Sequence, residues 1–261
     1  MEMSASHGEI DFKSLDTDGY TIVPGMVRPD EIQEFEATIE RLVCSQLSSL
    51  DIAPSHADQF IDVFKVGGQY TDRLYKLMER LFILQRIGVR LGNLLETSGF
   101  YEWAKIEVPL VWPDIRADIP GDSDRLLPVH QDFKSTLCER AWRLWIPLRP
   151  SNAETGTMCL YTGTHKLGVV EHNTDTPRRP FVEEKYYRNA VPAVLDLPAG
   201  DAVIMNPLIL HASVPNRSQR TKFTLMMQVQ DLAAMIHPDD KQNRFTTFTK
   251  IAASRAAAEP S

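Results

Sequence analysis

The spacing of apolar residues changes character once along this chain, near Trp103, and divides it into a helical part and a strand-rich part. Upstream the period is that of a helix. Ile32, Phe35, Ile39 and Leu42 recur on one face. Pro29 suits a first helical position, and Asp30 and Glu31 suit the positive end of the helix dipole. A second, longer helix is predicted from about Thr71, with Leu74, Leu77, Met78, Leu81, Leu84, Leu91 and Leu95 as its packing face. Ahead of both, the stretch from Asp18 to Gly25 reads as a turn, a short strand and a second turn.

Downstream the period is two. Lys105 to Val111 alternates polar and apolar, and so does Ala141 to Ile146, where Trp142, Leu144 and Ile146 share a face opposite Arg143 and Trp145. Further strands are expected at Met158 to Tyr161, Ala193 to Leu197, Ala202 to Met205, Leu208 to Ser213 and Lys222 to Gln230, with turn signals between them. Two helices followed by about eight short strands predict an α+β, mainly β chain: a double-sheet jelly roll backed by N-terminal helices. The expected layout is a disordered N-terminus over residues 1–11, one domain over 12–242, and an Ala-rich tail over 243–261. That tail has helical potential, and would pack over the barrel or against the second subunit of a homodimer. Residues 166–192 lack periodicity, and two readings stay open for them: a substrate-covering lid or a plain surface excursion.

Composition narrows the classes. A chain of 261 residues with 43% hydrophobic and 24% charged residues has the makings of an ordinary globular core. The net charge of −7, with no basic run, argues against a nucleic-acid partner. Cys44, Cys138 and Cys159 are odd in number and widely spaced, which predicts buried thiols in a reducing compartment. The N-terminal stretch lacks a basic region followed by an apolar one, and no run of 18 apolar residues occurs, so a soluble cytoplasmic protein without a membrane contact is expected.

The candidate chemistry lies in Val129-His130-Gln131-Asp132-Phe133. In a strand, residues i and i+2 project from the same face, so His130 and Asp132 can offer an imidazole nitrogen and a carboxylate oxygen to one cation. His211, closing the apolar run that begins at Asn206, is the best candidate for a third ligand. Two histidines and one carboxylate leave three octahedral positions open, the set suited to non-haem Fe(II). The triplet alone is a weak signal, because a loop histidine beside a capping aspartate would look the same. His7, His56, His172 and His237 lack strand context and are expected to be exposed.

Context adds weight to the triplet. The order Asp18-Gly19-Tyr20, His130-Gln131-Asp132, Leu144-Trp145-Ile146-Pro147-Leu148, Glu154-Thr155-Gly156, Gly163-Thr164-His165-Lys166, His211-Ala212-Ser213 and Pro215-Asn216 resembles the phytanoyl-CoA dioxygenase family over roughly residues 12 to 230. The resemblance implies a double-stranded β-helix, Fe(II), with 2-oxoglutarate and O2 as co-substrates, and hydroxylation or a related oxidation of a small molecule, as in secondary metabolism. It implies His130, Asp132 and His211 as the iron ligands, and an aspartate at that position disfavours halogenation. Where the family has an arginine for the far carboxylate of 2-oxoglutarate, this chain has Lys222, and the exchange of a planar fork for a point charge is not neutral. Arg220 shares its strand parity and is the alternative anchor. Ser213 is expected to donate to the same carboxylate, and Trp145 either walls the co-substrate pocket or packs in the core. His165 reads as part of a structural turn. A different class stays open, a catalytically silent jelly roll that binds a metal or ligand without turnover, since Lys222 is also what a decayed site would show.

Overall fold

The computed structural model describes residues 8–136, 138, 140–173 and 181–235. Helix α1 (Phe12–Thr17) is capped by Asp11, whose carboxylate accepts from Ser14 N–H. Strand β1 (Tyr20–Val23) follows, then α2 (Pro29–Ser49), α3 (Phe60–Phe64), α4 (Gly68–Met78), α5 (Phe82–Thr97) and α6 (Phe100–Trp103). The strand-rich part comprises β2 (Pro109–Asp118), β3 (Ala141–Pro147), β4 (Thr155–Tyr161), β5 (His172–Asn173), β6 (Phe181–Val182), β7 (Pro192–Val194), β8 (Ala202–Met205), β9 (His211–Asn216) and β10 (Lys222–Asp231). They form an antiparallel sheet in the order β1-β8-β3-β10-β2, a second in the order β7-β4-β9, and the small hairpin β5-β6. This is the jelly roll backed by helices that the change of period implies.

Period two gives the larger sheet two unlike faces. Ile115, Ala117, Leu144, Ile146, Phe223, Leu225, Met227 and Val229 point outward into the main core, where Phe35 of α2 and Phe60 of α3 meet the Phe223 ring edge-on. The other face turns toward the smaller sheet. There Trp145, Val203 and Met205 pack with Met158, Leu160 and Ile209 in a second, smaller core. Partly buried ion pairs lock the helices down. Glu31, at the start of α2, takes two hydrogen bonds from Arg90 of α5, and Glu36 takes two from Arg149 just beyond β3.

Several elements depart from expectation for identifiable reasons. The single long helix from Thr71 is two, α4 and α5. Met78 and Leu84 are both buried, yet six residues make about 1.7 turns, so one unbroken helix would turn them to different sides. The break at 79–81 re-phases the apolar face and leaves Leu77 and Phe82 exposed. The strand expected at 105–111 starts at Pro109 and runs on to Asp118. The N–H groups of Lys105 and Ile106 are spent on the end of α6, and Val108 N–H goes to the Asp231 carboxylate. Likewise β9 begins only at His211, because Asn206 draws Leu208 and Ile209 into a turn. Residues 8–11 are not frayed: Gly8 N–H pairs with Pro24 C=O, and Ile10 is buried. Cys44 is exposed rather than buried, and all three thiols are free. The tail 243–261 lies outside the described residues.

One contact ties the first turn to the strands. Gly19 has φ +87°, and a Cβ there would sit 2.4 Å from Nδ1 of His165, whose Nε2 bonds the Asp16 carbonyl. His165 is therefore a packing and hydrogen-bonding part of a turn, as its motif suggests. Gly19→Ala forces a left-handed conformation on a side chain that also collides with the imidazole, and is expected to cost at least about 1–3 kcal/mol. Urea unfolding monitored by tryptophan fluorescence measures it, and an unchanged midpoint would contradict the packing.

Candidate active site

The segment carrying His130 and Asp132 is not a regular strand. His130 makes an isolated antiparallel bridge with His211, each residue donating its N–H to the other's carbonyl at 3.0 and 3.1 Å. Asp132 opens a 3-10 turn, Asp132–Ser135. Gln131 between them is extended (φ −116°, ψ 146°), and one extended residue is enough to turn the two flanking side chains the same way. The Gln131 side chain fastens the segment: its amide donates to the carbonyls of Gly168 and Leu208 and accepts from Val170 N–H.

The bridge brings both imidazoles to the carboxylate. Nε2 of His130 lies 3.6 Å from Oδ1 of Asp132, and Nε2 of His211 lies 3.8 Å from Oδ2. Each Nδ1 faces a backbone carbonyl, Pro128 at 2.8 Å and Ile209 at 3.1 Å. Nδ1 donates there, which fixes the tautomer and leaves the Nε2 lone pair for an ion. The three donor atoms all lie within 4.8 Å of one another, and this is the one such group of three among the described residues. Two neutral imidazoles, one carboxylate and open positions match the donor set of a non-haem iron site.

Electrostatics prepare the same state. Burial by itself would raise the pKa of Asp132, but the attraction of the His211 and His130 imidazoles in their protonated form, and of the Arg143 guanidinium, outweighs it and holds the carboxyl well below its usual range. Burial, helped by the charge of His130, pushes His211 down to about 4 against the pull of Asp132. Both groups therefore stand in the metal-binding protonation state at neutral pH. Arg143 places Nε 3.3 Å from Oδ2 of Asp132.

One cavity holds the triad together with Trp145, Ser213 and Lys222. Lys222 is buried; its Nζ lies 2.8 Å from Oδ2 of Asp118 and 4.7 Å from the centre of the Trp145 ring. Trp145 packs in the small core and also lines the cavity. Arg220 does not join them: it is exposed and lines a separate cleft with Glu36 and Gln59. A turn at 218–220 carries it to the rim of the barrel, two residues before the ladder of β10 begins. His172, expected to be exposed, is buried in β5, and its Nε2 accepts from Gln131 N–H. His56 bonds Asp62 at 2.6 Å outside this site. His7 and His237 lie outside the described residues. The excursion 166–192 contributes β5 and β6, and Val182 N–H donates to Val129 C=O, so its described parts form a wall beside the triad.

Three site residues escaped the sequence reading. Arg116 and Asp118 lie on β2 beyond the point where the strand was expected to end, although Asp114, Arg116 and Asp118 alternate with Pro113, Ile115 and Ala117 in plain period two. Arg143 carried a signal of its own, a charge inside a strand whose every residue is buried. Two buried hydroxyls, of Thr157 along the cavity and Thr224 on β10, have no hydrogen-bond partner among the described residues. Orphaned donors of this kind beside buried cations fit an acidic ligand.

Comparison with known proteins agrees with this geometry. Residues 114–224 match the model of the phytanoyl-CoA dioxygenase (PhyH) family. Among solved structures, the chain is similar to EctD from S. alaskensis, crystallised with 2-oxoglutarate and 5-hydroxyectoine (14% identity, 90% of this chain and 81% of that one, TM-score 0.55). It is similar to EvdO2 from Micromonospora carbonacea var. aurantiaca, complexed with 2-oxoglutarate (15%, 89% and 97%, TM-score 0.54). It is also similar to the epimerase SnoN from nogalamycin biosynthesis, in complex with Fe3+, alpha ketoglutarate and nogalamycin RO (16%, 84% and 81%, TM-score 0.52). At these identities the likeness establishes the fold. A search of curated proteins finds no match.

The depressed pKa of His211 makes the metal-free chain sensitive to acid. The unfolded chain takes up this proton near 6.5 and the folded chain only near 4, so protons favour unfolding. The contribution is fully present above about pH 6.5 and lost as the pH falls toward 4, on the order of 3 kcal/mol in all. Asp132, held low in the folded state, adds a further loss below about pH 4. Urea midpoints of metal-free protein at pH 7.5 and 5 measure this, and His211→Gln is expected to flatten the slope between them.

Proposed function

We propose, on the premise that this chain is a member of the phytanoyl-CoA dioxygenase family through residues 114–224, that it is an Fe(II)- and 2-oxoglutarate-dependent dioxygenase that hydroxylates a C–H bond of a small molecule. The observation that carries the reading is the convergence of His130, Asp132 and His211 on one point at the side of a cavity that also holds the buried Arg143 and Lys222. His130, Asp132 and His211 would hold iron on one face. Bound there with O2, iron supplies the oxidising power that no side chain has; the protein supplies placement and exclusion of water.

The residues around the triad divide that labour. The carbonyls of Pro128 and Ile209 keep each Nε2 turned toward the ion. Arg143 steadies Asp132 in its ionised form. Lys222 offers a buried positive charge to the far carboxylate of 2-oxoglutarate, Ser213 offers a hydroxyl, and Trp145 walls the pocket beside Lys222. Asp132 fills the carboxylate position with a ligand of its own, which favours oxygen transfer over halide transfer. The intact triad and the burial of Lys222 both favour turnover over a silent binding module. A role in secondary metabolism is in keeping with SnoN, from nogalamycin biosynthesis, as a structural neighbour. Among the described residues no helix is long and apolar enough to cross a membrane.

Anaerobic titration of the Fe(II)-loaded chain with 2-oxoglutarate is expected to produce the weak visible charge-transfer band of a chelated 2-oxo acid. His211→Ala is expected to abolish the band. Under air, the loaded protein should release succinate slowly even without substrate. A wild-type chain with iron bound, no band at millimolar 2-oxoglutarate and no succinate would favour the binding module instead.

A further inference from the structure

Apart from Arg143, which stands beside Asp132, the cavity holds a second cation next to Lys222, and its wiring is specific. Lys222 of β10 stands directly across from Asp118 of β2, and Arg116, two residues back on the same face of β2, stands across from Thr224. One carboxylate serves both cations: Nζ of Lys222 donates to Oδ2 of Asp118 at 2.8 Å, and Nε of Arg116 donates to Oδ1 at 2.6 Å. Two positive charges against one negative leave a net +1, with Lys222 2% exposed and the Arg116 side chain 21% exposed. Net charge in such a place is costly unless one further anion arrives to match it.

The hydrogen-bond inventory makes the same demand. Ser213 Oγ accepts from Leu127 N–H at 3.1 Å and from Nη2 of Arg116 at 3.3 Å. A hydroxyl has two acceptor positions and one proton, so both positions are taken and the proton remains to be given. Thr224, fully buried on the same face of β10, has a hydroxyl with no partner among the described residues. Two cations and the Ser213 hydroxyl proton thus line the cavity, and the unpartnered Thr224 hydroxyl lies two residues along the same face of β10, with Asp118 as the one carboxylate already beside the cations. A carboxylate is an acceptor-only group of one negative charge.

We propose that the far carboxylate of 2-oxoglutarate is held by a composite cation built across two strands, Arg116 of β2 with Lys222 of β10, and that Asp118 is the resident counter-ion that keeps the net charge at +1. The inference rests on the Fe(II)/2-oxoglutarate reading above. Lysine at 222 is then one half of the anchor rather than the remnant of a decayed one. Arg116 returns to the pocket the planar, multi-donor geometry that lysine lacks, and Lys222 keeps a point charge braced on the face of Trp145.

Pairs of ligands separate this from a general effect on the site. The Fe(II)-loaded full chain is titrated anaerobically with 2-oxoglutarate and, separately, with pyruvate, which has the same metal-chelating end and no far carboxylate. Arg116→Met and Lys222→Met are each expected to weaken 2-oxoglutarate about tenfold or more and to leave pyruvate unchanged. Arg116→Lys keeps the charge beside Asp118 and guards against misfolding; it is expected to give a smaller loss, again for 2-oxoglutarate alone. Equal weakening of both ligands in Arg116→Met would overturn the proposal, because Arg116 would then act on the metal site at large. So would 2-oxoglutarate binding that depends on Lys222 and is indifferent to both Arg116 variants. If the wild-type chain binds neither ligand, the iron and 2-oxoglutarate reading itself falls, and this inference with it.

Discussion

Two backbone hydrogen bonds, exchanged between His130 and His211, are the constraint on which the rest of the site depends. They are what makes ligands from distant parts of the chain neighbours. His211 continues into β9, which pairs with β4 through Leu160 and Ser213, so the bridge extends the smaller sheet sideways to capture the segment 129–132. That segment has no ladder of its own. Gln131 holds it instead, with side-chain bonds to the carbonyls of Gly168 and Leu208 and a backbone bond to the buried His172. A mobile pair of ligands would lose ordering entropy each time a metal bound; a pair held by its backbone has already lost it.

The larger sheet explains how so many charges can stand inside a β-barrel. Alternation assigns one face of β2, β3 and β10 to the helices, and that face is apolar almost without exception. The other face carries Arg116, Asp118, Arg143 and Lys222. None of these is left bare. Arg143 stands beside Asp132, and Lys222 and Arg116 stand beside Asp118. Buried pairs of this sort contribute little net stability, because desolvation offsets most of their attraction. Their value lies in a polar cavity already arranged for an anionic, metal-chelating ligand, backed by a rigid apolar layer that gives Phe223, Phe35 and Phe60 a shared core.

Legibility followed the length scale of each interaction. Period two located β3 and β10 nearly to the residue, because each sends one face to an apolar core and that demand is written in every second position, while turn signals bracketed β1 and the fully apolar β8. It failed where a side chain or a helix end took over a backbone group. Asn206 delayed β9, the end of α6 delayed β2, and the change of phase between Met78 and Leu84 split a helix whose leucines looked continuous. The misplaced end of β2 had the largest consequence, since it hid Arg116 and Asp118 from view.

By itself the sequence determined the chemical alphabet of the site. His130 and Asp132 are two residues apart, and one extended residue between them suffices to aim both at one ion, whatever the fold around them. His211, Ser213, Trp145 and Lys222 were likewise readable from motif order and strand parity. Tertiary structure alone decided which charges meet. Arg220 and Lys222 share a parity, yet a turn leaves the first exposed at the rim while the second enters the ladder and is buried. Arg116 and Lys222 are remote in the chain and become neighbours only because β2 and β10 pair in one register. Register is set by cross-strand packing and hydrogen bonds along the whole of both strands, a non-local quantity that no local pattern encodes.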